Sequence, residues 1–288
     1  MSSLKEIKGR ISSVKSTLKI TSAMKMVASA KLHQAQTAIE NMLPYEESLH
    51  SILTSLQSTG VKQKTGSFEV NESAPVAIIA LASNSSLCGG FNSNVIKECR
   101  LRIQELRKEG KDVVVYSVGK KMTESMRKLG LESPADYSHL SASPSYDGAA
   151  ALAQAVIEGF EQGKYSKVEL IYNHFVSTST QKVLCETYLP FTLDLKSDNE
   201  ASVSADFIVE PSPEELLGLL MPRVQKLKIY TVLLDSAAAE HAARTVAMQT
   251  ATDNGENILQ ELTLEYNKGR QQKITAEILD LVGGMQES

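Results

Sequence analysis

The sequence predicts an α/β protein in which the N- and C-terminal helices form a long antiparallel coiled coil and a Rossmann-like α/β domain is inserted between them. Two observations point there. Both ends are long and almost free of helix breakers: residues 1–56 hold one proline, Pro44, and one glycine, Gly9, and residues 213–282 hold one interior proline, Pro222, and three glycines. The middle instead alternates short apolar runs rich in Val and Ile with helical patterns. A helix of ~55 residues spans roughly 80 Å and needs a partner along its length, and the other terminal helix is the one at hand. Residues 1–58 are expected to form the first coiled-coil helix, 73–195 the inserted domain and 210–288 the second helix.

In the first helix Leu4, Ile7, Ile11, Val14 and Leu18 follow the three-four spacing of a coiled-coil seam. The register then meets Thr21 and Lys25 and recovers at Ala28, Leu32, Ala35, Ile39 and Met42. A polar interruption is either a register device or a place where the seam opens to a third surface. The second helix has a clear start: Ser212 can cap, Pro213 suits the first helical position, and Glu215 completes a capping box. Pro222 should kink or loosen the early turns, and Gly283-Gly284 should end the helix. Paired from the hinge, about 56 residues face about 76, so roughly 20 residues, ~30 Å of helix, overhang at the C-terminal tip. That tip carries Ile274, Ile278, Leu281 and Val282.

In the middle, residues 74–82, 113–118, 168–172 and 183–188 read as strands, and 92–108, 120–129 and 147–162 as helices. Such alternation implies a mostly parallel sheet covered on both faces. The polar stretches 59–72 and 196–204 read as hinges.

Composition excludes several classes. A net charge of −4 gives no bulk attraction to nucleic acid. Three cysteines, Cys88, Cys99 and Cys185, in no metal-like spacing fit free thiols in a reducing compartment. No apolar run reaches the ~18 residues of a spanning helix. The turn Cys88-Gly89-Gly90 follows the first strand and opens a helix, but no Gly-x-Gly-x-x-Gly or Gly-Lys-Ser/Thr accompanies it. Its glycines are read as easing a tight turn, and Cys88 as a half-buried packing thiol. The five histidines are scattered, and no nucleophile–base or paired-carboxylate set stands out. No cofactor, metal or catalytic residue is expected. Charge is uneven: residues 1–32 carry Lys5, Lys8, Arg10, Lys15, Lys19, Lys25 and Lys31 against Glu6, whereas residues 253–288 carry seven acids against three bases. The two segments can attract each other as paired helices, and the basic one can also face an acidic partner.

The segments LKEIKGRISSVKSTLKITSAMKMVASAKL and EHAARTVAMQTATDN…LTLEYNKGRQQKITAEILDLVGG, with SLCGGFN, EPSPEELL and LMPRVQKLKIY between them, resemble the gamma subunit of F-type ATP synthases. The resemblance covers effectively the whole chain. It departs where family members usually read Ser-Asp-Arg-Gly and this chain has Ser83-Asn84-Ser85-Ser86, and at Gly284, where another small residue is common. No cysteine-bearing insertion of the redox-regulated plastid type is visible. The resemblance implies a non-catalytic rotor shaft that couples proton-driven rotation of a c-ring to conformational cycling of the catalytic beta subunits. Its implied partners are three alpha and three beta subunits around one copy of the chain, an epsilon subunit and the c-ring, and no nucleic acid. Its implied place is peripheral, on the cytoplasmic face of the bacterial inner membrane. Lys8, Arg10, Lys19, Lys25, Lys31, Arg270, Gln271, Thr275, Glu277, Ile278 and Leu281 are the implied contacts with the ring, the bases facing an acidic loop of beta. Phe207, Val209 and Glu210 are the implied contacts with the c-ring and epsilon. Two other classes stay open on the residues alone: a coiled-coil adaptor, which would form a symmetric homodimer, and a nucleotide-dependent enzyme, which would bind nucleotide by itself.

Overall fold

A computed structural model of the chain describes residues 3–58, 71, 73–190 and 212–284. In chain order the elements are α1 (Leu4–Ser58), β1 (Val76–Leu81), α2 (Phe91–Lys108), β2 (Val113–Val118), α3 (Lys120–Arg127), α4 (Ser138–Ala142), α5 (Tyr146–Glu161), β3 (Lys167–Ser177), β4 (Thr180–Leu189) and α6 (Pro213–Gly284). The long terminal helices and the inserted α/β elements are as the sequence predicts. The chain divides into two compact units, one of Met1–Ser29 with Arg244–Ser288 and one of Ala30–Ala243. Both predicted hinges, 59–72 and 196–204, lie almost wholly outside the described residues.

In the first unit the two helical segments pair antiparallel in one register. The Thr21 and Thr252 hydroxyls meet, Leu18 packs over Gly255, and Leu4 packs over Gly269. In each pair the residue numbers add to 273, so the seam neither slips nor skips over four turns. Ile7, Ala28, Met248 and Leu262 are buried along it. Glycine serves the close approach at residue 255, where a Cβ would stand 2.7 Å from Leu18 Cδ2.

The second unit holds a four-stranded sheet in the order β2-β1-β3-β4. β1 runs parallel to β2 and β3, and β4 is antiparallel to β3. All six β1 residues are buried, as expected of a central strand covered on both faces. Ala77, Ile79 and Leu81 face α5 and residues 229–233 of α6, which contribute Leu152, Val156, Ile229, Val232 and Leu233. Val76, Ile78 and Ala80 face α2 and α3, which contribute Val95, Cys99, Ile103, Met122 and Met126. At the end of β2, Gly119 takes φ 96°, and a Cβ there would fall 2.0 Å from the Ala82 carbonyl oxygen. Only glycine fits that turn.

Two regions differ from expectation. The short α4 has no period long enough to read in sequence. β3 and β4 extend well past their predicted limits: after Ile171 pairs with Ala80, β3 continues to Ser177 against β4 alone. The hairpin therefore overhangs the sheet. α6 is helical through Pro222, and α1 through Pro44. The start of α6 is as predicted, with the Glu215 N–H donating to Ser212 Oγ at 3.2 Å.

Candidate functional site

Two parts of the molecule can carry function: the end of the sheet where α/β folds take ligands, and the helical surfaces that hold the predicted contacts.

In an open parallel sheet the ligand crevice lies outside the strand carboxyl ends, where the chain order reverses. Here that point falls between β1 and β3, and it is filled. Cys88 from the turn after β1, Phe91 at the start of α2, and Ala239 and Ala243 from α6 form one buried cluster there, with the partly buried Phe175 of β3 packed against it. Asn173 Nδ2 donates to the Phe91 carbonyl at 3.3 Å. Cys88, expected half-buried, is 1% exposed. The adjoining cavity, between Leu81, Ser141, Ser236 and Glu240, holds about 10 Å³, against ~300–1,000 Å³ for small-molecule sites. The turn itself is held from within: Ser83 N–H donates to Asn92 Oδ1 at 3.0 Å, and Leu87 and Gly89 take positive φ. A larger groove of about 520 Å³ lies between α3 and the loop before α4, but its walls mix Lys120 and Arg127 with Glu124, Glu132 and Asp136. Among the described residues no group of three or more His, Cys, Asp or Glu is placed to hold a metal ion. Nor is any described helix long and apolar enough to cross a membrane.

Asn84 stands where the resembled family usually has Asp, and the local geometry uses its amide. Its Oδ1 accepts the Lys120 N–H at 2.9 Å and its Nδ2 donates to the Ser138 carbonyl at 2.8 Å. A carboxylate could make the first bond and not the second.

Of the predicted ring contacts, Lys8, Arg10 and Lys19 are exposed on α1 in the first unit, and Lys31 is exposed in the second. Lys25 is half-buried. The register of 273 sets it opposite Met248, which is 4% exposed. Arg270, Gln271, Thr275 and Glu277 are exposed on α6, and Ile278 is 55% exposed. Thr275 donates to the Gln271 carbonyl at 2.9 Å, and Glu277 lies 3.7 Å from Lys273, a surface pair of little energetic weight. Leu281 lies in the last turn of α6. Phe207, Val209 and Glu210 lie outside the described residues.

Sequence reasoning missed the strongest electrostatic cluster. Glu169 on β3 is 2% exposed and faces α2. Arg102 grips both its oxygens at 2.8 Å, and Lys167 Nζ adds a third bond at 2.8 Å. Burial pushes the Glu169 carboxyl up, but the Arg102 and Lys167 bonds outweigh it and hold the group below the usual carboxylate range. Burial, with the Glu169 charge behind it, pushes the neighbouring Cys185 thiol up to about 11. Burial alone dominates at Cys99, pushed up to about 12. These thiols are poor nucleophiles at neutral pH.

A family model described as ATP synthase matches residues 3–287. An ATP synthase gamma chain of Phocaeicola vulgatus is 52% identical over 286 residues, covering 99% of both chains. One from Bacteroides fragilis is 52% identical over 287 residues, again covering 99% of both. One from Flavobacterium johnsoniae is 44% identical over 288 residues, covering 99% of this chain and 98% of the relative. Among solved structures, a chain of the Euglena gracilis mitochondrial ATP synthase OSCP/F1/c-ring assembly superposes with TM-score 0.63 at 18% identity, over 98% of this chain and 93% of that one. A chain of the Tetrahymena thermophila mitochondrial ATP synthase central stalk and c-ring gives TM-score 0.58 at 24% identity, over 81% and 99%. At those identities the structural likeness is one of fold.

Proposed function

The chain belongs to the ATP synthase gamma-chain family, and on that premise we propose that it is the central rotor shaft of an F-type ATP synthase, without catalytic activity of its own. The observation that carries the proposal is likeness from end to end, 52% over 99% of both chains. The geometry supports it in two ways. The crevice where an α/β domain would hold a nucleotide is packed with Phe91, Phe175, Ala239 and Ala243. And two antiparallel helices of unequal reach have no threefold symmetry, so a ring of three equivalent sites would meet three different faces at any instant.

That asymmetry is the mechanism. A shaft shifts the equilibrium of a catalytic site only through contacts that differ between that site's conformations. As it turns, the exposed bases Lys8, Arg10, Lys19 and Lys31 and the exposed tip around Arg270, Gln271, Thr275, Glu277 and Ile278 pass each beta subunit in sequence. Acidic groups on beta are drawn toward the bases over about one Debye length, ~8 Å at physiological salt. The overhanging tip turns within the alpha–beta collar. Phe207, Val209 and Glu210 are the proposed contacts with the c-ring and epsilon. The protein is held at the membrane through the c-ring, on the cytoplasmic face of a bacterial inner membrane.

Coexpression with alpha and beta subunits tests this. The expected complex holds one copy of the chain per three alpha and three beta subunits, and the chain alone gives no nucleotide-binding heat in calorimetry. A stable homodimer that leaves alpha and beta behind, or stoichiometric nucleotide binding by the isolated chain, would overturn it.

A further inference from the structure

The overhang of the β3–β4 hairpin is the feature that neither the sheet nor the shaft requires. β1 and β2 have six residues each, while β3 has eleven and β4 ten. The additional length, from Tyr172 to Ser177 and from Thr180 to Leu184, pairs only within the hairpin. A two-stranded ribbon is marginally stable in water unless it packs on something. This one lies along α6. Near its base, Tyr188 donates to the Gln225 carbonyl at 3.0 Å, and Glu186 pairs with Lys228 at 3.0 Å. At its tip, Phe175 packs with Leu32 and Ala35 of α1 and with Ala238 and Ala242 of α6.

One side chain fastens the tip. Asp235 of α6 accepts the Phe175 backbone N–H on Oδ1 at 2.8 Å, and its Oδ2 meets His174 Nδ1 at 2.6 Å. The carboxylate is acceptor-only, so His174 carries its proton on Nδ1. The contact sits about two helical turns before Ala243, where the compact unit ends. Alanines at residues 238, 239, 242 and 243, all 7% exposed or less, let the ribbon approach the helix there.

We propose that this hairpin is the clamp that holds the two long helices against rotation within the α/β domain, with Asp235 as its latch. A helix pair on its own is narrow and resists twisting only weakly. Torque applied to a wide domain reaches the helices in full only if they cannot turn inside it. The clamp grips both helices at the point where they leave that domain. Asp235 and His174 are thus positioning residues for energy coupling.

The inference rests on the rotor reading and is tested in the complete ATP synthase complex in inverted membrane vesicles, by the ratio of ATP-driven proton pumping to ATP hydrolysis. Asp235→Ala removes both bonds, and the ratio should fall about threefold or more in assembled complexes, within the range that residues on a coupling path produce. Asp235→Asn can accept the Phe175 N–H and donate to the other imidazole tautomer, and should keep the ratio within about twofold of wild type. A merely structural role would lower the amount of assembled complex and leave the ratio alone. If Asp235→Ala does not assemble, His174→Ala serves, since that imidazole is 45% exposed and its loss is not expected to unfold the domain; it should lower the ratio in the same direction. An unchanged ratio in assembled Asp235→Ala or His174→Ala complexes would overturn the clamp. So would undiminished protection of the Phe175 amide from hydrogen exchange in Asp235→Ala. A wild-type complex that hydrolyses ATP without pumping would sink the rotor reading instead.

Discussion

The Thr21 and Thr252 hydroxyl oxygens lie 2.9 Å apart across the helix pair, at the position where the sequence breaks its apolar seam. Thr21 is also 3.1 Å from the Leu18 carbonyl, and Thr252 is 2.8 Å from the Met248 carbonyl. Two hydroxyl protons serve these three contacts. One crosses between helices, and the other returns to its own backbone. Of the two explanations open at the sequence level, a register device fits residue 21, because an apolar neighbour one turn along would leave the pair unmatched.

Removing one hydroxyl should therefore cost about 1 kcal/mol, the usual net worth of a protein hydrogen bond. Removing both, as Thr21→Val with Thr252→Val, should recover most of that, since matched apolar groups of the same shape leave nothing unpaired. Urea unfolding of the two single variants and the double variant checks it. A double variant at the sum of the singles would show that the hydroxyls do not act as a pair.

The buried cluster on β3 gives a stability prediction with a pH dependence. Arg102→Met leaves Glu169 buried with Lys167 as its only cation and should destabilise the domain by about 3 kcal/mol, as loss of one partner of a buried pair does. In the wild type the Glu169 carboxyl is depressed by folding. Its contribution is fully present above the unfolded value of about 4.3 and is lost as pH falls through the lower folded value. Without Arg102 the burial effect is no longer outweighed, so acid unfolding should begin at higher pH. Circular dichroism along an acid titration reads both effects, and coincident midpoints would refute the assignment.

Cys185 looks available on the surface, yet its thiol is pushed up to about 11. At pH 8 it should hold about two orders of magnitude less thiolate than an ordinary cysteine of pKa ~8.5. Alkylation by iodoacetamide should be correspondingly slow and should rise about tenfold per pH unit up to pH 10. Fast labelling at pH 8 would contradict the carboxylate-facing environment of this exposed residue.

Much of this molecule is legible in its sequence, for identifiable reasons. β1, all of it buried, is a continuous apolar run, and α2 shows its buried face at residues 95, 99, 103 and 106. β3 reaches past its expected end because Asn173 to Ser177 leave the doubly covered sheet for a ribbon, where Asn173, His174 and Ser177 break the apolar run that marks the buried part of the strand. The His174–Asp235 and Arg102–Glu169 contacts join residues more than 60 apart, and no local period announces such pairs. Lys25 falls on the seam in the sequence as well as among the contacts the resemblance implies, and its half-burial agrees with the seam position.

That half-burial separates two charge reversals. Lys25→Glu should disturb helix pairing as well as any partner contact. Lys31 is exposed, and Lys31→Glu should leave stability within about 0.5 kcal/mol of wild type. It should still lower ATP-driven pumping relative to hydrolysis in the assembled complex, because repulsion replaces attraction toward an acidic loop. Unchanged coupling with Lys31→Glu would remove that residue from the contact surface.

The last prediction concerns the tip of α6. The register pairs Leu4 with Gly269, and α1 begins at Leu4, so α6 beyond residue 269 has no α1 residue opposite it. The exposures agree: Ile274 is 46%, Ile278 55% and Leu279 64% exposed. Apolar side chains presented together on an unpaired helix mark a binding surface, and a helix end with no tertiary partner frays, because propensity alone barely sustains a short helix in water. In the isolated chain the amides of residues 270–284 should exchange rapidly, while those of residues 248–266, paired with α1, exchange slowly. Assembly with alpha and beta subunits should protect the tip and change the paired segment little. Slow exchange at the tip in both states would mean that it packs on its own chain. Rapid exchange in both would mean that the collar does not hold it.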